Sequence, residues 1–278
     1  MAPDAPALGP TSLAGVRVGV SVSDSAELGR LGLTDAHLRL ALAEIARVVI
    51  RAGGVLVYGG HLQRDGYTAF LEGEVDRYAA SDRPLQLVVP WAEHRRMPLG
   101  ELRTRREELS LKGEFTYLDA DGAPVPAKAD RGPEPAPVDD AQISPSLTAL
   151  RRYLAAITDA RVLLGGKEEG YQGAAPGIIE EALLAVEAGQ PIYLAGGFGG
   201  ATATVAQAAC GTLGRWPPVE SAENPWTQRV AEIIAANSWS LDRNRLSEVE
   251  NRRLATTHRP SEVASLVASG LARAFANA

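Results

Sequence analysis

Three stretches run an apolar segment into two adjacent glycines and then into a helix-forming segment. They are Val55-Leu-Val-Tyr-Gly-Gly60, Val162-Leu-Leu-Gly-Gly166 and Ile192-Tyr-Leu-Ala-Gly-Gly197. Glycine lets a backbone approach a ligand closely. The helix that follows offers unpaired N–H groups and a partial positive charge, which suit phosphate. A single such pair reads most simply as a tight turn. Three at one sheet edge read as a pocket, so Gly59, Gly60, Gly165, Gly166, Gly196 and Gly197 are candidate ligand-binding residues, with Phe198 and Gly199 following the last pair.

The richest segment is Gly165-Gly-Lys-Glu-Glu-Gly-Tyr-Gln-Gly-Ala-Ala-Pro-Gly-Ile-Ile-Glu-Glu-Ala182. Lys167 can meet a phosphate as a point charge, and Tyr171 can stack on a base or ribose. Gln172 and Gly173 share the loop, and Pro176 and Gly177 open a helix, where proline presets the first turn. Glu180 and Glu181 fall in that turn. There they either complement the helix dipole or serve chemistry, binding ribose hydroxyls or polarising a water. Ser21 and Ser23 end the first strand and either donate to phosphate or ribose or are ordinary turn residues. His61, Tyr67 and Thr68 follow the Gly59-Gly60 turn, and a plain loop role for His61 stands beside ligand contact. The remaining histidines and Cys210 form no cluster with metal-ligand spacing, so no metal is expected.

These residues need a frame. Val16–Val22 reads as a buried strand, and a helix from about Thr34 closes at Gly53-Gly54. Val55–Tyr58 and Leu85–Val89 read as strands around a helix over 68–79. Residues 91–141 read as an irregular insertion, with a short strand at Phe115–Leu118 and a mobile surface loop over 123–140. Order resumes at Ser144-Pro145, read as an N-cap and first helical position, with Arg151 and Arg152 on that helix. Strands at Val162–Leu164 and Pro191–Leu194 alternate with helices over 177–188 and 200–210. The expectation is an α/β, Rossmann-like, mostly parallel sheet with helices on both faces. It spans 12–213 as a ligand-binding domain, with a small helical extension over 214–278 after the Pro217-Pro218 break. The apolar stripe Val263, Leu266, Val267, Leu271 and Phe275 suggests a surface to be covered, hence a homo-oligomer.

Composition bounds the partners. The chain has 278 residues and a net charge of -6, which disfavours a nucleic-acid partner but leaves room for a small anionic ligand at a local positive site. One cysteine excludes an internal disulfide, and no apolar run is long enough to span a bilayer, so a cytoplasmic protein is expected. Lysine is scarce, only Lys112, Lys128 and Lys167, which makes Lys167 conspicuous. The run Arg95–Arg106 reads as a solvated helix face.

The order of helix with an Arg pair, strand, Gly-Gly loop and Pro-Gly-x-x-Glu-Glu helix resembles the SLOG superfamily, which joins the LOG phosphoribohydrolases, the DprA-type proteins and the N-terminal domains of TRPM channels. Gly19-Val-Ser-Val-Ser23, Tyr58-Gly-Gly-His61 with Gly66-Tyr-Thr68, and Leu164-Gly-Gly-Lys167 with Gly170-Tyr-Gln-Gly173 most resemble the prokaryotic branch related to the TRPM domain. The resemblance covers about Val16 to Cys210. It implies a nucleotide-derived ligand of the ADP-ribose or NAD-derivative kind, a signalling role of the sort seen in defence and channel proteins, and no further cofactor. The LOG enzymes hydrolyse a ribosyl bond with an Arg and a Glu around Pro-Gly-Gly-x-Gly-Thr-x-x-Glu. Glu181 matches the motif glutamate and Arg151 or Arg152 stands near the arginine, so Glu181 and Arg152 are the catalytic candidates if the chain is an enzyme. The chain departs from the motif: its loop is longer, Lys167 stands near the second Gly, and Ile178 replaces the Thr. Those departures rank a binding sensor first, an N-glycosidic hydrolase second and a non-binding scaffold or oligomerisation domain third.

Overall fold

The apolar runs become strands because both their faces are buried. β1 (Arg17–Ser23), β2 (Val55–Gly59), β3 (Leu85–Val89), β4 (Gly113–Leu118), β5 (Pro124–Val125), β6 (Ala160–Gly165) and β7 (Ile192–Ala195) form one sheet in the order β5-β4-β3-β2-β1-β6-β7. Every pairing is parallel except that of β4 with β5. The helices are α1 (Asp35–Arg51), α2 (Tyr67–Tyr78), α3 (Trp91–His94), α4 (Leu99–Leu109), α5 (Asp140–Ile157), α6 (Gly177–Glu187), α7 (Gly200–Cys210), α8 (Pro225–Ala236), α9 (Glu248–Thr256) and α10 (Pro260–Phe275). This computed structural model describes residues 8–63, 65–78, 83–110, 112–128, 135, 138–210 and 224–275.

Strand alternation sorts the helices into two layers. Val18, Val20 and Val22 of β1 share a core with Leu38, Leu42 and Ile45 of α1 and with Val263, Val267 and Leu271 of α10. On the other face Leu163 and Leu194 meet Ile179 and Ala182 of α6 and Val205 of α7. Val57 meets Leu150 and Leu154 of α5 on that same side. The stripe on α10, from which a homo-oligomer was inferred, is thus buried within the chain against α1. Among the described residues no helix is long and apolar enough to cross a membrane.

The chain runs outward from β1 to β5, then returns through α5 to β6 on the other side of β1. That reversal is where open parallel sheets leave a crevice beyond their carboxyl ends.

Two local expectations change. α5 begins at Asp140, not at Ser144, because Asp139 and Gln142 form a capping box one turn earlier. Pro145 therefore sits inside the helix, where it forgoes only the bond to the carbonyl of Ala141. The stretch 91–141, expected as irregular apart from a strand at Phe115–Leu118, supplies that strand as β4 and adds α3, α4 and β5. Residues 129–134, 136 and 137 of the surface loop expected over 123–140, and the Pro217-Pro218 break, lie outside the described residues.

Candidate functional site

A crevice of about 530 Å³ opens beyond the ends of β1, β2 and β6. β1 contributes Ser21 and Ser23, with Asp24 just after it, and β2 contributes Tyr58 and Gly59, with Gly60 and His61 just after it. Lys167, Gly170, Tyr171 and Gln172 come from the loop after β6, and Gly177, Ile178 and Glu181 from α6. Glu93 and Arg96 come from and just after α3, and Ile143, Leu147, Leu150 and Arg151 form an α5 wall that is mostly apolar.

The acid in the middle is held from below. Arg161 of β6 lies in register with Gly19 of β1 and is 1 % exposed. Its Nη1 donates to Glu181 Oε2 at 2.7 Å and to Ser21 Oγ at 3.1 Å, and Ser21 Oγ donates to the same Oε2 at 2.5 Å. Burial pulls the Arg161 pKa down, and the charge and hydrogen bond of Glu181 oppose it; an arginine keeps its charge at neutral pH regardless. Removing one partner of such a buried pair typically costs about 3–5 kcal/mol.

The neighbouring acid is spent differently. Glu180 accepts from Arg151 Nη1 and from Thr148 Oγ1, the latter at 2.6 Å, which ties α6 to α5. Arg151 also explains two glycines. A Cβ at Gly173 would lie 2.5 Å from its Nη1, and one at Gly177 would lie 2.7 Å from its Nη2. These glycines make room for an arginine rather than for a ligand.

The cations left over face the opening. Lys167 is exposed, and its ammonium has no partner among the described residues. The same is true of the exposed Arg96 guanidinium on the β3 side. α6 follows Pro176, and its amides before Glu180 have no carbonyl of their own helix to bond, as at any helix start. Gly177 and Ile178 carry two of them and line the crevice, so the arrangement can receive an anion. Tyr171, 39 % exposed, presents an aromatic ring at the rim.

Phenols and a histidine complete the lining. Tyr67 O–H lies 2.8 Å from Asp24 Oδ1 and 2.9 Å from Asp35 Oδ1. Burial and those two acids push its pKa well above the usual phenol value. Burial, then the charges of Glu181 and Asp24, do the same to Tyr58, so both stay protonated donors. Thr68 does not line the crevice; buried, it donates to the carbonyl of His61 at 2.7 Å and fixes that turn.

The third glycine turn is closed. A Cβ on Gly196 would lie 2.6 Å from the carbonyl oxygen of Ala255, and Gly197 is pressed against the backbone of Thr257 and His258. Phe198 is fully buried, and Gly199 packs on the Glu27 side chain. The amide of Gly200, which starts α7, donates to Glu27 Oε2 at 2.7 Å. The expectation that Gly196, Gly197, Phe198 and Gly199 line the pocket is corrected: the end of α9 and the residues just after it roof the glycine pair, and a carboxylate of the chain fills the helix end.

A family model described as SLOG cluster2 matches residues 12–271. The chain belongs to the SLOG cluster2 family. No curated protein and no solved structure matches it. Membership of a SLOG family suggests a nucleotide-related function, and the match covers the sheet and extends into α10.

Within this family member the crevice gathers Ser21, Ser23, Gly59, Gly60, His61, Tyr67, Arg151, Lys167, Tyr171, Gln172, Gly177 and Glu181. Gly165, Gly166, Gly173, Pro176 and Glu180 stand behind its lining and shape it. Gly165 and Gly166 have φ of +61° and +108°, and their Cβ positions are taken by Ser23, Ala201 and Ile178. Two roles change with the geometry. Arg152 is exposed on α5 and off the crevice, since the next residue on a helix points about 100° away. The cation beside Glu181 is Arg161, because Arg151 is engaged by Glu180. Ser21 spends its hydrogen on Glu181, so it is not free to donate to a ligand.

Sequence reading missed Arg161, Tyr58, Asp24, Glu93, Arg96 and the α5 wall. For Arg161 a signal existed: a lone charge between Ala160 and Val162-Leu-Leu in a buried strand. Among the described residues no group of three or more His, Cys, Asp or Glu is placed to hold a metal ion.

Proposed function

We propose that the crevice binds a nucleotide-derived, phosphate-bearing small molecule of the ADP-ribose or NAD-derivative kind, and that the protein is a sensor or signalling module. The observation that carries this is charge order. An unpaired ammonium, Lys167, and the open start of α6 stand next to an acid, Glu181, that is already fixed by Arg161 and Ser21. Phosphate suits the first pair. Ribose hydroxyls suit the second, because Glu181 Oε1 has no partner among the described residues. A base fits between Tyr171 and the apolar Ile143, Leu147 and Leu150.

Glu181 Oε2 already accepts from Arg161 and Ser21, so the acid is set as an acceptor rather than as a proton donor. That favours binding without turnover, since glycosidic cleavage needs its leaving group protonated. An N-glycosidic hydrolase is the second reading, favoured by the same unpaired Oε1, which can orient a water. The test is a calorimetric panel of nucleoside mono- and diphosphates, NAD and ADP-ribose, with each binder then followed by chromatography for released base. Saturable binding without release supports the sensor. Multiple turnovers, abolished in Glu181→Gln with binding kept, would replace it with the hydrolase.

A further inference from the structure

Arg161 touches no part of the crevice surface, yet it decides which way the crevice acid points. Proton accounting shows how. Nη1 gives one hydrogen to Glu181 Oε2 and one to Ser21 Oγ, and Ser21 passes its own hydrogen to Oε2. Nη2 is steadied by Thr158 Oγ1 at 3.3 Å. Both donors thus converge on one oxygen, and Oε1 is left for the crevice. The fold makes room for this arginine: a Cβ at Gly19 would lie 3.2 Å from the Arg161 Cζ. Stability does not account for the arrangement, because an apolar replacement of a buried ion pair is often as stable. Arg161 Nε is buried without a partner, a further cost.

We propose that Arg161 is a positioning residue which, with Ser21, sets Glu181 Oε1 as a standing acceptor, so that the crevice demands a ribose hydroxyl at that point and discriminates against deoxyribose. This rests on the reading of the crevice as a nucleotide-ligand site. A fixed acceptor pays for a missing hydroxyl with an unmade bond, whereas a loose carboxylate can turn away to water.

The experiment is calorimetry with 5′-AMP and ADP-ribose, each beside its 2′-deoxy and 3′-deoxy analogues. The wild-type chain should prefer a ribo form over at least one deoxy analogue by about tenfold or more. Arg161→Met should erase that preference while Lys167→Ala, which weakens all ligands alike, leaves it intact. Arg161→Lys should restore part of it, a rescue that a merely structural role would not tie to the sugar. Arg161→Met can fail to fold because it strands Glu181. Ser21→Ala keeps the charge balance and should reduce the preference about threefold. An unchanged ribo-to-deoxy ratio in the folded variants, or no preference in the wild type, would overturn the inference while leaving the crevice a nucleotide site. Absence of binding by both ribo ligands in the wild type would overturn both.

Discussion

After β6 the chain turns through Gly165 and Gly166 and reaches an α6 start that looks into open crevice. After β7 it turns through Gly196 and Gly197 and reaches an α7 start where the Glu27 carboxylate already sits. The two turns are stitched together, Ala201 N donating to the Gly166 carbonyl at 3.1 Å. They differ in what arrives from elsewhere. Residues 255–258 roof the second turn, and Glu27, from just beyond β1, supplies its anion. A strand–glycine–helix turn is therefore a capacity for anion binding, and the rest of the chain decides whether a ligand or a side chain uses it.

The largest effect should come from filling the closed turn. Gly197→Ala places a methyl against the Thr257 backbone and should cost about 3 kcal/mol or more, or prevent folding, by chemical denaturation. Gly170→Ala in the open loop meets nothing within 4 Å and has only its φ of +63° against it, so about 1–2 kcal/mol is expected. Equal costs would break the contrast between closed and open turns.

That contrast also marks how far sequence alone carries. The sheet, its strand ends and the first two turns were legible because each depends on neighbours within a few residues. The roof over Gly196-Gly197 and the Glu27 plug were not, since their partners lie about 60 and 170 residues away in the chain. Glu181 was legible from its place in α6, but its partner Arg161 sits on a strand whose burial is set by Gly19 across the sheet. Arg96 was hidden within an arginine-rich run that otherwise follows the solvated face of α4.

Next in size is the open turn's cation. Lys167→Ala should weaken a phosphate-bearing ligand by about 1–3 kcal/mol in calorimetry. It should leave unfolding within about 0.5 kcal/mol of the parent, since the ammonium pairs with nothing among the described residues. Glu27→Ala is its counterpart at the closed turn. It should lower stability by about 1 kcal/mol through the lost cap on α7, with ligand affinity unchanged.

A separate effect is one of pH on the roof. Glu250 of α9 accepts from Arg273 of α10 at 2.8 Å through both oxygens, and those bonds, with Ser247, hold its pKa down at about 2. A lowered folded pKa contributes stability that is present above the unfolded value of about 4.3 and is lost as pH falls toward the folded one. Acid titration of thermal stability should therefore be shallower in Glu250→Gln than in the parent between those limits. Parallel curves would remove this clamp from the account.

The most direct test of the central claim is a crystal structure of the chain with the tightest-binding ribonucleotide of the panel. The account predicts phosphate oxygens at the Gly177 and Ile178 amides within reach of Lys167, a ribose hydroxyl on Glu181 Oε1, and Glu27 still seated at Gly200. An empty crevice at saturating ligand, or a phosphate at the start of α7 with Glu27 displaced, would contradict it.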